Sequence, residues 1–257
     1  MALFQSGNPT LSQKIFDRSV NAASSETMTV RGTINKFGFL MIMLLVGAAY
    51  TWYLYQDFNK EGTMVTLMWV GLIGGLILSL VISFKPNLSP YLAPAYAILE
   101  GFAIGAISAV LNNVFSEKKY PGIVMQAVAI TFGVALTVFA LYNFGIIKAT
   151  QKFKAIMMTA IIGIFVFYMI WMILGLFHVQ LSFMNWDDAS PLGIGINIFV
   201  AVIAALSLVL DFDRIEKGAE SGAPKYMEWY GGFGLLVTMV WLYIEILKLL
   251  SRFASRK

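Results

Sequence analysis

Long apolar runs separated by short polar breaks dominate this chain. Seven of them cover about residues 37–55, 63–84, 91–115, 121–147, 154–177, 192–212 and 229–253. As helices rising 1.5 Å per residue, each crosses a hydrocarbon core about 30 Å thick. The runs are continuously apolar and lack the alternation of a barrel strand, so the pattern predicts helices. The breaks carry turn chemistry: Lys85-Pro86-Asn87-Leu88-Ser89-Pro90, Tyr120-Pro121-Gly122, Asp187-Asp188-Ala189-Ser190-Pro191, and the stretch from Gly218 to Pro224. The predicted fold is therefore all-α, a polytopic membrane protein of seven transmembrane helices. No repeat of fixed period and no soluble domain stands out.

Residues 1–36 precede the first run and are polar, which predicts a cytoplasmic N-terminal tail ahead of a transmembrane domain over 37–253 and a basic tail at 254–257. Met1 to Gln5 lacks a basic start and an apolar core, so no cleavable signal is expected. Asn8-Pro9 reads as an N-cap followed by proline at N1. Leu11, Ile15 and Phe16 then share one face, the pattern of a short helix lying on a membrane surface.

Composition agrees with this reading and narrows it. Of 257 residues, 59% are hydrophobic and 12% charged, against about 45–50% and 25% in soluble domains. A mean hydropathy of +0.76 excludes an ordinary water-soluble enzyme, and disorder needs the opposite balance. The absence of cysteine excludes disulfides and thiolate chemistry, and a single histidine removes most imidazole chemistry. Lys and Arg number seven in the connections that are inner when the N-terminus is cytoplasmic and three in the outer ones. The positive-inside rule then favours a cytoplasmic N-terminus. The basic end (Lys248, Arg252, Arg256, Lys257) pulls the other way, and a re-entrant segment in place of one span would reconcile it.

Small residues at four-residue spacing, Gly71 with Gly75 and Gly101 with Gly105, mark close helix packing, as do Ala201, Ala204 and Ala205. They speak of a bundle and carry no chemistry. The aromatics Trp52, Tyr53, Tyr55, Trp186, Trp229 and Tyr230 fall at span ends and read as interface anchors. His178 ends the fifth run beside a loop, an ordinary interfacial position.

Three acids fall inside the spans: Glu100 in the third, Asp211 near the end of the sixth and Glu245 deep in the seventh. A carboxylate at the bilayer centre costs about 2.5–3.5 kcal/mol on insertion scales, so it faces the bundle interior, paired or protonated. Asp211 can equally end a helix at the interface beside Asp213 and Arg214. Glu245 can be neutralised by Lys248 at i+3, and Glu100, with no basic residue within a turn, can be a protonated structural acid. If the acids converge they titrate together, as a pH-sensitive gate or a cation site. Oxygen ligands without His or Cys suit a hard cation such as Ca²⁺. Contact between Asp211 and Glu245 needs the sixth helix to continue past Asp211, or the seventh to start late, after Gly231-Gly232-Phe233-Gly234. No zinc-protease, nucleophile-elbow or phosphate-loop motif is present, the Gly-Asp signature of intramembrane aspartyl proteases is missing, and no enzymatic activity or cofactor is expected. A retinal-type pigment fits the seven spans and Lys248, but Lys248 lies too near the chain end.

The C-terminal third carries a resemblance. Leu208-Val209-Leu210-Asp211-Phe212-Asp213-Arg214-Ile215 resembles the Tyr-Asp-x-x-x-Ile stretch closing the sixth helix of the Bax inhibitor-1 family. Trp241 to Leu250 resembles that family's Leu-Tyr-Leu-Asp-x-x-Asn-Leu-Phe segment, and Leu99 to Gly105 its third-helix pattern. Gly32-Thr33-Ile34-Asn35-Lys36 and Gly222 to Tyr230 look like the bacterial Bax inhibitor-1-like branch, which includes the YccA-type proteins. The resemblance implies six helices around a central last helix in a bacterial inner membrane. It also implies a pH-sensitive Ca²⁺ leak latched by an acid pair, Asp211 and Glu245 by position, which would also be the ligands of any bound Ca²⁺. Glu100, Asp213 and Lys248 would line the ion path in support. Glu245 stands where the family usually has Asp, and Lys248 where many members have Asn. The competing expectation is an adaptor without transport that modulates a membrane protease or a stress-response partner, with 145–154 and 213–228 as contact surfaces. Partners are then the lipid bilayer, Ca²⁺ and such a protease, with no nucleic acid.

Overall fold

The computed structural model describes residues 26–57, 60–117, 120–179, 181–186 and 188–256. Among them are seven α-helices: α1 (Val30–Tyr55), α2 (Glu61–Phe84), α3 (Ser89–Glu117), α4 (Ile123–Asn143), α5 (Gln151–Leu176), α6 (Pro191–Glu220) and α7 (Met227–Ser255). All seven are long and apolar enough to span a membrane. The last is the most enclosed: 72% of its apolar window is buried, against 11% for α5 and 50% for α3 and α6. The surface helix proposed around Leu11, Ile15 and Phe16 lies outside the described residues.

Several boundaries differ from the hydropathy reading, each for a local reason. α1 begins at Val30, not Phe37, because Thr29 caps it: the Thr29 hydroxyl accepts from Gly32 N at 2.9 Å. α6 continues past residue 212 to Glu220. Ion pairs at helical spacing keep this polar stretch wound, Asp211 with Arg214 and Asp213 with Lys217. α7 starts at Met227 and runs straight through Gly231 to Gly234, so the late start considered for it does not occur. His178 stops α5 in the left-handed region (φ 60°), a conformation histidine tolerates better than most side chains.

The described residues form two compact units. The first comprises 26–114 with Asp211–Val237, that is α1, α2, most of α3, the end of α6 and the start of α7. Its helices meet through bare backbone. A side chain at Gly101 would strike Leu44 O and Ala48 N of α1, and one at Gly71 would strike Leu99 O and Ala103 N of α3. Both small-residue pairs therefore act as the packing seams their spacing predicted.

At one end of this unit the chain meets itself. Met28 N donates to Ala223 O at 2.7 Å, Lys225 N donates to Glu26 O at 3.1 Å, and Thr27 pairs with Pro224 as an isolated antiparallel bridge. The buried Glu228 carboxylate accepts from Thr29 N and from its hydroxyl, both at 3.0 Å, and pairs with Lys225 at 3.2 Å. Six helices lie between residues 29 and 223, so contact between these segments requires an even number of crossings.

The second unit comprises Phe115–Leu210 with 238–256, that is α4, α5, the start of α6 and most of α7. Met157 and Ile164 of α5 pack on Val200, Ile203 and Leu210 of α6, with Trp241 of α7 against them. The α5–α6 connection folds back through a 3₁₀ turn, Ser182–Met184, whose Met184 is buried. Arg252 holds it from α7, donating to Phe183 O at 2.8 Å and facing Asp188 at 4.0 Å.

Candidate functional site

Glu245 is the best-furnished polar position in the second unit. It is 3% exposed, and three helices supply donors to its carboxylate. Tyr168 of α5 donates its hydroxyl to Oε1 at 3.1 Å. Asn197 of α6 donates Nδ2 to Oε2 at 2.8 Å and to the Glu245 backbone carbonyl at 3.1 Å. Lys248 of α7 places Nζ 3.4 Å from Oε1 and 3.5 Å from Oε2. The i,i+3 neutralisation that the spacing allowed is therefore present. Lys248 also lies 3.4 Å from the Tyr168 hydroxyl, with its ammonium 5.4 Å from the Tyr168 ring centroid and 5.6 Å from that of Trp186. Such distances are within cation–π reach.

Asp211 belongs to the first unit and is fully buried. Its Oδ1 faces Arg214 Nη1 at 3.5 Å, and Arg214 is itself buried. Asp213 pairs with Lys217 at 2.8 Å. Glu100 is half-buried on α3 and receives a hydrogen bond from Tyr96, one turn earlier on the same helix. A side chain at Gly75 of α2 would come within 3.0 Å of its Oε2, so a bare helix surface gives the carboxylate its room.

Among the described residues, no three of His, Cys, Asp and Glu gather so as to hold a metal ion. Ca²⁺ takes about six to eight oxygen ligands, and Glu245 has a hydroxyl, an amide and an ammonium as its company.

Tyr168, Asn197 and Arg252 were not legible as site residues. Asn197 carried the one available signal, a lone amide in the apolar stretch Gly195-Ile196-Asn197-Ile198-Phe199. Tyr168 looked like any other aromatic in a lipid-facing helix. Trp186, read as an interface anchor, also covers Lys248. Glu228, which fell in the segment 213–228 considered as a contact surface, is 1% exposed.

Seven long apolar helices with carboxylates buried on the last two define a polytopic α-helical membrane protein with an internal acid–base system. The chain belongs to the Bax inhibitor 1 like family, whose family model matches residues 8–255. No curated protein and no solved structure matches it.

Proposed function

We propose that this protein is a passive, pH-sensitive cation leak, with Ca²⁺ as the leading cargo, in a bacterial inner membrane. The observation that carries the reading is the pair of buried acids on α6 and α7, each held by a base three residues further on: Asp211 with Arg214 and Glu245 with Lys248. Buried charge of this kind is costly in a membrane and marks ion pathways and proton-sensitive elements. Glu100 and Asp213 support the path in this reading, and no catalysis is involved. A cytoplasmic N-terminus is part of the proposal. The junction of 26–28 with 223–225 supports it by grouping two of the basic inner segments on one side.

In this reading the pH response has a sign. Proton sharing between Asp211 and Glu245, as the family resemblance suggests, would make the protonated state the closed one. With a base beside each acid, the ionised state is instead the held state. Protonation removes the carboxylate charge and weakens the pairing that holds each buried base, which is unfavourable. Flux should therefore rise as pH falls, followed from about pH 8 down to about pH 4. The test is Ca²⁺ flux into liposomes across that range. In the double variant Asp211→Asn, Glu245→Gln the flux should lose its pH dependence. Equal flux and equal pH response in wild type and double variant would overturn the proposal.

A further inference from the structure

Lys248 does more at this site than balance a charge. Its ammonium is surrounded by what a cation-binding site needs: both oxygens of Glu245, the Tyr168 hydroxyl and the rings of Tyr168 and Trp186. A carboxylate with two π faces recognises a compact alkylammonium. The far edge of the carboxylate is fixed by Asn197, which is 2% exposed and whose Oδ1 has no hydrogen-bond partner among the described residues. That spare acceptor belongs to the amide that orients Glu245. The other base on this stretch of α7, Arg252, is held by Phe183 O and Asp188. Lysine also differs from arginine in kind, being a point charge on a flexible four-carbon stem that can withdraw.

We propose that Glu245, Tyr168, Asn197 and Trp186 form a site for one small cation, and that Lys248 fills it from within the chain as a tethered ammonium. Any cation using Glu245 must first displace Lys248. The effect on Ca²⁺ flux rests on the leak reading above, whereas the site itself does not.

Chemical rescue tests it on the full-length protein. Lys248→Ala removes three carbons and the ammonium, which together correspond to propylammonium. Propylammonium should raise the melting temperature of the Lys248→Ala protein saturably, because a ligand bound only to the folded state stabilises it. It should do nothing for wild type or for Lys248→Ala, Glu245→Gln. Tetramethylammonium, too bulky and without N–H donors, should fail in all three. In liposomes, Lys248→Ala should raise Ca²⁺ flux by about tenfold, the order expected when a fixed positive charge leaves a low-dielectric path, and propylammonium should reverse the gain. Lys248→Met keeps the stem and serves where the alanine variant does not fold. It should raise flux without responding to propylammonium.

No saturable stabilisation of Lys248→Ala, or equal stabilisation in the double variant, would overturn the site. With Lys248→Met as the only folded variant, a measurable wild-type flux that Lys248→Met leaves unchanged would do the same. Rescue by propylammonium with no Ca²⁺ flux in any variant would keep the site and overturn the leak. Wild-type flux that Lys248→Ala leaves unchanged, without propylammonium binding, would keep the leak and overturn the site.

Discussion

The two compact units each bury an acid with a base three residues on, yet they treat the pair differently. In the first, Asp211 faces Arg214, and the next acid, Asp213, faces Lys217, so charges alternate along one helix as it nears its end. In the second, Glu245 lies in an apolar stretch of α7 and draws donors from α5 and α6 as well as from Lys248. Arginine is a rigid, permanently charged fork, and lysine a compact charge that can be withdrawn or replaced. The same spacing thus yields a bolt in one unit and a removable plug in the other.

Breaking the bolt should have the largest effect. Arg214→Met leaves the fully buried Asp211 without the base on its own helix, and removing one partner of a buried pair costs about 3–5 kcal/mol. Unfolding free energy measured in bicelles reads this directly. Replacing both, Asp211→Leu with Arg214→Met, should recover most of the loss, since a buried pair exchanged for apolar residues is often neutral. If the double variant is as unstable as the single, the bolt is a wider network than the ion pair.

The corresponding change in the second unit should cost less. Lys248→Met leaves Glu245 with Tyr168 and Asn197 still donating, so the loss should be about 1–3 kcal/mol, the range for an incompletely satisfied buried polar group. Equal losses for Arg214→Met and Lys248→Met would erase the contrast between the units and show that neighbouring helices do not share the load of Glu245.

How far the sequence revealed this contrast depends on the kind of contact. The seven helices were legible because lipid demands about twenty consecutive apolar residues, a signal no packing detail erases. The ends of α1 and α6 were not, because polar residues stay helical wherever caps and i,i+3 or i,i+4 ion pairs support them, as Thr29 and the Asp211 to Lys217 stretch do. Within the site, Lys248 was legible as a partner of Glu245 because one helix fixes their spacing. Tyr168 and Asn197 reach the same carboxylate from 77 and 48 residues away, and no periodicity encodes such a meeting. Glu228 illustrates the same limit: its partner Thr29 is 199 residues away.

That Glu228 contact supplies the next prediction, a smaller one. Thr29→Ala removes the side-chain cap of α1 and one of the two bonds from Thr29 to Glu228, leaving the backbone donor in place. The expected loss is about 1 kcal/mol, typical of a helix N-cap. Because the change lies in the first unit, it should leave propylammonium binding by Lys248→Ala unaffected. A Thr29→Ala, Lys248→Ala protein that loses that binding would show the two units to be energetically coupled and the comparison too sharp.

The smallest effect on stability, and the finest test of the plug, comes from Tyr168→Phe. This change deletes the hydroxyl that donates to Glu245 and lies 3.4 Å from Lys248, while keeping the ring over which the ammonium sits. Hydrogen bonds between membrane helices average about 0.6 kcal/mol, so the unfolding free energy should fall by about that much. The ring's share of cation recognition survives, and propylammonium should still stabilise Tyr168→Phe, Lys248→Ala, with weaker affinity. Tyr168→Leu, which removes the ring as well, should abolish that stabilisation for a similar global cost. If phenylalanine and leucine behave alike, the π face contributes nothing and the cation at Glu245 is held by the carboxylate alone. If phenylalanine costs as much as Lys248→Met, the hydroxyl is the keystone of the cluster, and the distinction between a bolt and a plug then rests on Tyr168 more than on lysine.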